Sequence, residues 1–445
     1  MQQPLNPTPG NATLSDEMST SVSDSQTPTV PVGFRFQFSL FLANVTLWLL
    51  SYPLSSILYP QQATYIDTLH KEVVLSIALT VSSLIGLGVV PIVGILSDRT
   101  RSRFGRRRPW LVLAAILFIV GLIILAHALS LVIFTLGVIV VGIAGGVAST
   151  ALNAVIPDHV PEQQRGTVSG WVGLATPLSL IISALLVPKI LVQTGGSLTL
   201  AYYLLIVPVV VILIPYALLL RDTPAPVVRE RPLNGSETPR YSRIGGRLYA
   251  NFGFVCLTRF LLILGFNLGT VYLLFYLRDV VHYEQLFPGQ KAVQGVGTLQ
   301  IVSVLGLVVA TILGGIISDR IHNRKLVVMV SSVLIGIGLF TLAISHTWTA
   351  ALVSSAFQGL GFGAYLAVDT ALATLVLPHP ENRARDLAFV TVSGNIGILI
   401  APVVVAFFVT GLGLEKVQSY TLLFVIAGIL SILAAILVQP IKGVR

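Results

Sequence analysis

The sequence predicts an all-α integral membrane protein in which twelve transmembrane helices form two pseudo-symmetric six-helix bundles. Three observations carry that prediction. The 445-residue chain is 54% hydrophobic and 10% charged, with a mean hydropathy of +0.88. Soluble domains carry about 25% charged residues, because every exposed face needs them. Its apolar runs are long enough to cross a bilayer, which takes about 20 helical residues. The segment GILSDRTRSRFGRRRPW, Gly94 to Trp110, returns in its core as GGIISDRIHNRK, Gly314 to Lys325, 221 residues later. A Gly-x-x-Ser-Asp-Arg turn, repeated once per half between apolar runs, marks two homologous bundles.

Residues 1–33 are rich in Ser, Thr, Pro and Gln and read as a disordered cytoplasmic tail. They lack the basic-then-apolar start of a secretory signal, and the acceptor-like Asn11-Ala12-Thr13 falls on the cytoplasmic side, where it is a chance match. Membrane spans are expected at 36–59, 73–96, 110–129, 131–156, 167–192 and 200–220, then at 256–278, 294–317, 326–345, 348–377, 387–411 and 419–439. The first bundle then covers 34–220 and the second 248–440. A cytoplasmic linker, 221–247, joins them with its Pro and Arg residues, and 441–445 form a short cytoplasmic tail.

With the N-terminus inside, cytoplasmic segments hold 22 of the 27 basic residues, including six Arg in 99–108 and six in 221–247. Only Lys71, Lys189, Arg278, Lys291 and Lys416 fall outside. This is the positive-inside asymmetry, and it places both termini in the cytoplasm of a cell membrane. It also explains the net charge of +9 without a nucleic-acid partner; lipid is the expected neighbour. The lone Cys256 excludes an internal disulfide and a Cys-rich zinc site. The chain has no metal-ligand spacing, nucleophile elbow, phosphate loop or paired catalytic carboxylates, so neither an enzyme nor a cofactor is expected.

The duplication extends beyond the loop. Ser169-Gly170-Trp171-Val172-Gly173, followed by Pro177, recurs as Ser393-Gly394-Asn395-Ile396-Gly397, followed by Pro402. Thr150-Ala151-Leu152 matches Thr370-Ala371-Leu372, and Arg35-Phe36 matches Arg259-Phe260. With both Gly-x-x-Ser-Asp-Arg loops, this architecture resembles the major facilitator superfamily over about residues 34–440. The form SDRTRSRFGRRRPW is similar to sucrose–proton symporters and the wider glycoside–cation symporter group. AYLAVDTALATLVLP in span 10 and PDHVPEQQRGTVSGWVGL between spans 4 and 5 resemble a related bacterial branch.

The resemblance implies a gate at the cytoplasmic mouth. Asp98 would meet the start of span 11 near Leu387 when that mouth closes, and Asp319, followed by Arg320, the start of span 5 near Thr167. A carboxylate is stable there against the positive end of a neighbouring helix. Arg99 and Arg103 are the expected partners of Asp158 at the end of span 4. Gly94 would permit close helix contact, and Gly105 a tight turn. One departure stands out: Leu375 occupies the position where the family often carries an acidic residue before the Leu-Pro ending span 10. The gate of the second half is therefore expected to be wired differently.

Inside the membrane, ionisable groups are functional candidates, because a charge at mid-helix costs roughly 2.5–3.5 kcal/mol on insertion scales. Asp369, nine residues before Pro378, is the carboxylate that qualifies. Protonation would relieve its burial, which suits a proton-coupled site. Gln358, Phe362, Tyr365 and Asp369 share a helical face and read as cavity lining. On span 1, Asn44, Trp48, Ser51 and Ser55 form a second stripe with Tyr52 beside it. An indole near hydroxyls and amides suits a sugar, and Tyr52-Pro53 would interrupt the backbone at a cavity. Asn267 is the repeat-related partner of Asn44. Tyr272, Tyr276, Gln300, Asn395, Asn153 and Ser149 follow as weaker candidates. Arg259 lies deep, free to bind an anion or pair with Asp369, if span 7 begins near 249; its relation to Arg35 favours snorkelling at the interface. His127 and His346 fall at outer ends and are expected to be solvated.

The expectation is a secondary active transporter, monomeric and working by alternating access, that takes up a sugar or glycoside with a proton through a cavity lined by spans 1, 4, 7 and 10. A proton-driven exporter of drugs or metabolites is the alternative, disfavoured because SGWVGLATPLSLII in span 5 departs from the spacing of drug–proton antiporters. A membrane sensor or scaffold should carry an extra soluble domain, which the short loops do not supply.

Overall fold

The computed structural model describes residues 31–100, 102–220, 246–321, 323–375 and 383–441. The expected tails 1–33 and 441–445 and the linker 221–247 lie outside them but for a few edge residues, as does the side chain of Leu375. Twelve helices among these residues are long and apolar enough to cross a membrane. They are α1 (Phe34–Ile66), α2 (Lys71–Arg99), α3 (Arg108–Ala126), α4 (Leu131–His159), α5 (Glu162–Gln193) and α6 (Leu198–Leu219), followed by α7 (Ala250–Asp279), α8 (Ala292–Ile321), α9 (Arg324–Ile344), α10 (Trp348–Thr374), α11 (Asp386–Gly411) and α12 (Lys416–Leu437). The shortest has 19 residues and at 1.5 Å per residue reaches about 28 Å, close to the thickness of a hydrocarbon core.

The expected break at Tyr52-Pro53 does not occur. α1 runs on to Ile66, with one wide π turn at Leu54–Leu58 directly after Pro53. Proline lacks an amide hydrogen and crowds the carbonyl four residues back; a wider turn absorbs both defects without ending the helix. Pro208 is followed by the same device at Val209–Leu213. α7 does break: its two pieces, Gly246–Thr270 and Leu273–Asp279, meet beside the central cavity.

In the first half α1 packs on α5, α2 on α4, and α3 on α4 and α6; in the second α7 packs on α11 and α12, α8 on α10, and α9 on α10 and α12. Close approach depends on small residues: a Cβ on Gly359 or Gly363 of α10 would collide with the backbone of Ser303 or Leu307 in α8. The halves meet through α2 with α11 and α5 with α8.

The end of the bundle holding Val32, Ile441 and the α2–α3 loop is the terminal mouth; the other end is the opposite mouth. Near the opposite mouth the halves touch closely, and a Cβ on Gly297 of α8 would strike the Ala184 carbonyl and Pro188 ring of α5. Toward the terminal mouth Gly94, Gly166, Gly170 and Gly315, on inter-half helices, face no heavy atom of the described residues within 4 Å. Among the described residues, the protein is closed at the opposite mouth and open at the terminal one.

Candidate functional site: a central cavity between two charged mouths

A cavity of about 330 Å³ lies between the halves. Hydroxyls of Tyr52, Ser55 and Ser56 in α1, Ser83 in α2, Thr270 in α7, Ser303 in α8 and Ser355 in α10 line it, together with the amides of Asn267, Gln300 and Gln358. Phe266 and Phe362 stack at one side with ring centroids 4.2 Å apart. The lining contains no carboxylate, ammonium or guanidinium. Gln358 donates to Ser354 Oγ at 2.9 Å, and Asn267 donates to the Ile263 carbonyl at 2.8 Å. The amide oxygens of Gln300 and Gln358 are buried without a donor from the protein, an arrangement that calls for a donor.

Of the expected binding residues, the structure brings Tyr52, Asn267 and Gln358 to this cavity and leaves the others elsewhere. Asn44 is buried, and its amide is spent on the Leu40 carbonyl at 2.9 Å. Trp48 stacks on Tyr52 at 5.5 Å and packs with Phe41, Val45 and Ala175 between α1 and α5. Both lie on the stretch of α1 before the wide turn at Leu54–Leu58, whereas Ser55 and Ser56 within that turn line the cavity. Tyr365 is buried too, beyond the Phe266–Phe362 pair. Gln300 rises from a weak candidate to a lining residue, whereas Asn153 and Asn395 are exposed elsewhere and Ser149 bonds its own helix at Gly146. α4 supplies no lining side chain; α2, α5, α8 and α11 do instead.

Arg259 corrects the interface reading. Its Nη1 pairs with Asp369 Oδ2 at 2.6 Å, with side-chain exposures of 19% and 10%. Tyr365 Oη donates to the other carboxylate oxygen of Asp369. Arg35 is the second residue of α1, but Arg259 is the tenth of α7, too far in to reach the interface. Phe362 lies between this triad and the cavity, with its ring 6.2 Å from that of Tyr365. The triad therefore joins α7 to α10 on the terminal side of the cavity.

At the terminal mouth one arginine does what two others were expected to do. Arg107 donates through Nε to Asp158 at 2.7 Å, through Nη2 to Asp98 at 2.8 Å and through Nη1 to Ser97 at 2.7 Å. Arg106 adds a 3.0 Å bond to Asp98. Burial of Arg107 works against its charge, but hydrogen bonding and attraction from Asp158 and then Asp98 outweigh it and raise its pKa. Arg103 stacks on Phe104, and Arg99 points into solvent. Gly105, with φ of 98°, makes the turn that swings Arg107 back under α2 and α4. Asp98 does not meet Leu387, nor Asp319 Thr167, because this mouth is open; Asp98 is 60% exposed, and Asp319 beside Arg320 is exposed as well. Gly94 meets nothing for the same reason.

The opposite mouth carries charges that sequence reasoning had read only as topology. Lys71 of α2 pairs with Asp279 of α7 at 2.6 Å and lies over the Phe275 ring. The neighbouring Glu72, fully buried, pairs with Lys416 of α12 at 2.6 Å. Arg278 reaches across to Thr64 and Gln61 of α1 at 3.3 Å. Tyr272, another weak binding candidate, donates to the Glu72 carbonyl at 3.1 Å, and Tyr276 bonds His346 at 3.3 Å. His346 is half-buried rather than solvated, with its second nitrogen 3.0 Å from Thr421 Oγ1; His127 is exposed as expected. Among the described residues no group of three or more His, Cys, Asp or Glu could hold a metal ion.

A family model described as the Major Facilitator Superfamily matches residues 38–299 and 291–442. The chain belongs to this superfamily. It is thus a multi-pass membrane transporter of a small molecule, not an enzyme. A general alpha-glucoside permease of Schizosaccharomyces pombe is 28% identical over 127 residues, a stretch covering 25% of this chain and only 23% of the permease. Among solved structures, a nucleoside transporter, NupG, is 14% identical with a TM-score of 0.71 over 92% of this chain and all of its own. A D-xylose–proton symporter is 16% identical with a TM-score of 0.67, covering 93% and 98%. These structures share the major facilitator fold.

Proposed function

We propose that the transporter works by alternating access and takes up a sugar or glycoside together with a proton. The observation that carries this reading is the cavity wall of hydroxyls, amides and aromatic rings without a fixed charge. Such a wall suits a neutral, polyhydroxylated solute, whose hydroxyls need partners and whose C–H faces stack on rings. Its volume lies at the lower end of ligand pockets, roughly 300–1,000 Å³. The names of the alpha-glucoside permease and the xylose–proton symporter agree with this substrate class.

Proton coupling rests on Asp369. This carboxylate is membrane-embedded, held by Arg259 and Tyr365, and one aromatic layer from the cavity. Protonation would release Arg259, the tie between α7 and α10, so proton arrival and helix movement would be one event. Each proton moving inward yields roughly 2.3 kcal/mol per 100 mV, enough for about a 50-fold solute gradient when tenfold costs about 1.4 kcal/mol. The arginine-rich terminal mouth would face the cytoplasm by the positive-inside asymmetry.

The test is uptake of labelled sugars by proteoliposomes under an imposed proton gradient. Accumulation that collapses with a protonophore is expected; uptake indifferent to pH and uncoupler refutes coupling, and a failure of every sugar or glycoside to compete refutes the substrate class. Asp369→Asn should still equilibrate substrate but not concentrate it. Because it strands Arg259, and breaking a buried pair costs about 3–5 kcal/mol, Asp369→Asn with Arg259→Gln serves as the folded, uncoupled control.

A further inference from the structure

The sequence assigns five basic residues to the side away from the termini, and the structure divides them sharply. Lys71, Arg278 and Lys416 are used in contacts across the halves. The ammonium groups of Lys189 and Lys291 find no acceptor among the described residues, and both are exposed. Lys189 lines one cleft, and Lys291 flanks it through the neighbouring Gln294 and the Gly195-Gly196 turn. This cleft of about 370 Å³ opens between α5 and α8 near the opposite mouth, with Leu185, Val192 and Ile301 as apolar wall and Lys189, Gln193 and Gln294 as polar rim. Lys291 sits over the Gly195-Gly196 turn that ends α5, its Nζ 3.5 Å from where a Cβ on Gly196 would lie. Its backbone N–H is held by Gln294 Oε1 at 2.9 Å, which fixes the lysine beside the rim.

Two unpaired cations above an apolar groove, at the level where a span meets the headgroups, match one kind of neighbour. We propose that this cleft binds an anionic phospholipid: its phosphate takes Lys189 and Lys291, its headgroup hydroxyls bond Gln193 and Gln294, and an acyl chain lies along Leu185 and Ile301. Lys189 stands one turn before the end of α5, so its stem covers apolar surface while its ammonium reaches the headgroup. The floor of the cleft is the close approach of Gly297 to Ala184 and Pro188. A lipid seated there bridges both halves only while the opposite mouth is shut, and so favours the state open at the terminal mouth.

The experiment is native mass spectrometry of the delipidated full-length protein, titrated with phosphatidylglycerol and, separately, phosphatidylcholine. A saturable phosphatidylglycerol adduct is expected, with phosphatidylcholine binding far more weakly. At about fivefold per lysine near a membrane surface, Lys189→Ala with Lys291→Ala should weaken the adduct about thirtyfold. The corresponding double arginine variant should keep it, and Lys291→Gln alone should lose about fivefold. Unchanged phosphatidylglycerol affinity in the double alanine variant, or equal affinity for the two lipids, overturns the proposal. Displacement of the adduct by glycerol phosphate at lipid-like concentration also overturns it, assigning the cleft to a soluble anion.

Discussion

Both mouths of this transporter carry ion pairs, and they use them in opposite ways. At the opposite mouth the ion pairs cross the seam: Lys71 with Asp279, and Glu72 with Lys416, join the halves, with Lys71 and Glu72 buried. At the terminal mouth, among the described residues, the ion pairs of Asp98 and Asp158 stay inside the first half, and Asp98 remains largely in solvent. α2 carries both sets, one at each end. A helix latched to the far half at one end and to its own half at the other behaves as a lever. In the proposed alternating-access cycle, closing the terminal mouth would require the opposite pairs to open and Asp98 to exchange solvent for the head of α11.

The strongest way to break this comparison is to remove one member of the latch. Lys71 and Asp279 are 8% and 16% exposed, so loss of one partner strands a nearly buried charge at a cost of about 3–5 kcal/mol. Lys71→Asp should shift the balance of open and closed opposite mouths by more than about a hundredfold. Cysteine probes at the cavity residues Ser56 and Ser303 would report this as new labelling from the opposite side. Asp279→Lys added to Lys71→Asp reinstates attraction and should restore much of the closed state. If the single reversal leaves labelling unchanged, the latch does not hold the mouth.

Sequence spacing could not have revealed that latch, because its partners are 208 and 344 residues apart. Each was legible only as a charge at the end of a span, which topology alone explains. The twelve spans, the duplicated loop and the turn at Gly105 were readable because each is written in local pattern: apolar run length, a repeated hexapeptide, a glycine at positive φ. Gln358 and Phe362 were found by helical periodicity, which holds along unbroken α10. The same periodicity held only in part on α1: Asn44 and Trp48 are taken up in packing before the π turn, and of that stripe Tyr52 and Ser55 reach the cavity. Arg259 was misread because homology with Arg35 preserves position in the repeat but not depth: α7 begins well before its arginine, which is its tenth residue, whereas Arg35 is the second of α1. A signal was present in the chain, since a buried carboxylate such as Asp369 requires a cation.

A smaller effect sharpens the contrast from the other mouth. Arg107→Ala removes three hydrogen bonds that tie the ends of α2 and α4. The arginine is buried but Asp98 is mostly exposed, so solvent screening reduces the loss to about 2 kcal/mol. The unfolding temperature in detergent should fall while labelling from the opposite side stays as in the parent protein, because these bonds lie within one half. Arg107→Ala that instead opens the opposite mouth would show that the two sets of charges are not separable.

The smallest effect is a pH dependence of the opposite mouth. His346 sits between Tyr276 of α7 and Thr421 of α12, and burial lowers its pKa below the usual 6.5. The packed state therefore resists protonation, while a state that exposes the imidazole binds a proton at about 6.5. Stability from this contact is complete above about pH 6.5 and is lost as pH falls from there toward the depressed value, since the exposed state takes up the proton first. Asp67, the nearby loop carboxylate, does not confuse the measurement. Hydrogen bonding from the His70 backbone and then its side chain lowers the Asp67 pKa below its usual 3.8, so it titrates in a more acidic window. Labelling of the cavity from the opposite side should rise modestly between pH 7.5 and about pH 5.5, and His346→Gln, which keeps a donor and an acceptor but cannot charge, should flatten that rise. A rise that persists in His346→Gln would place the titrating group elsewhere in the mouth.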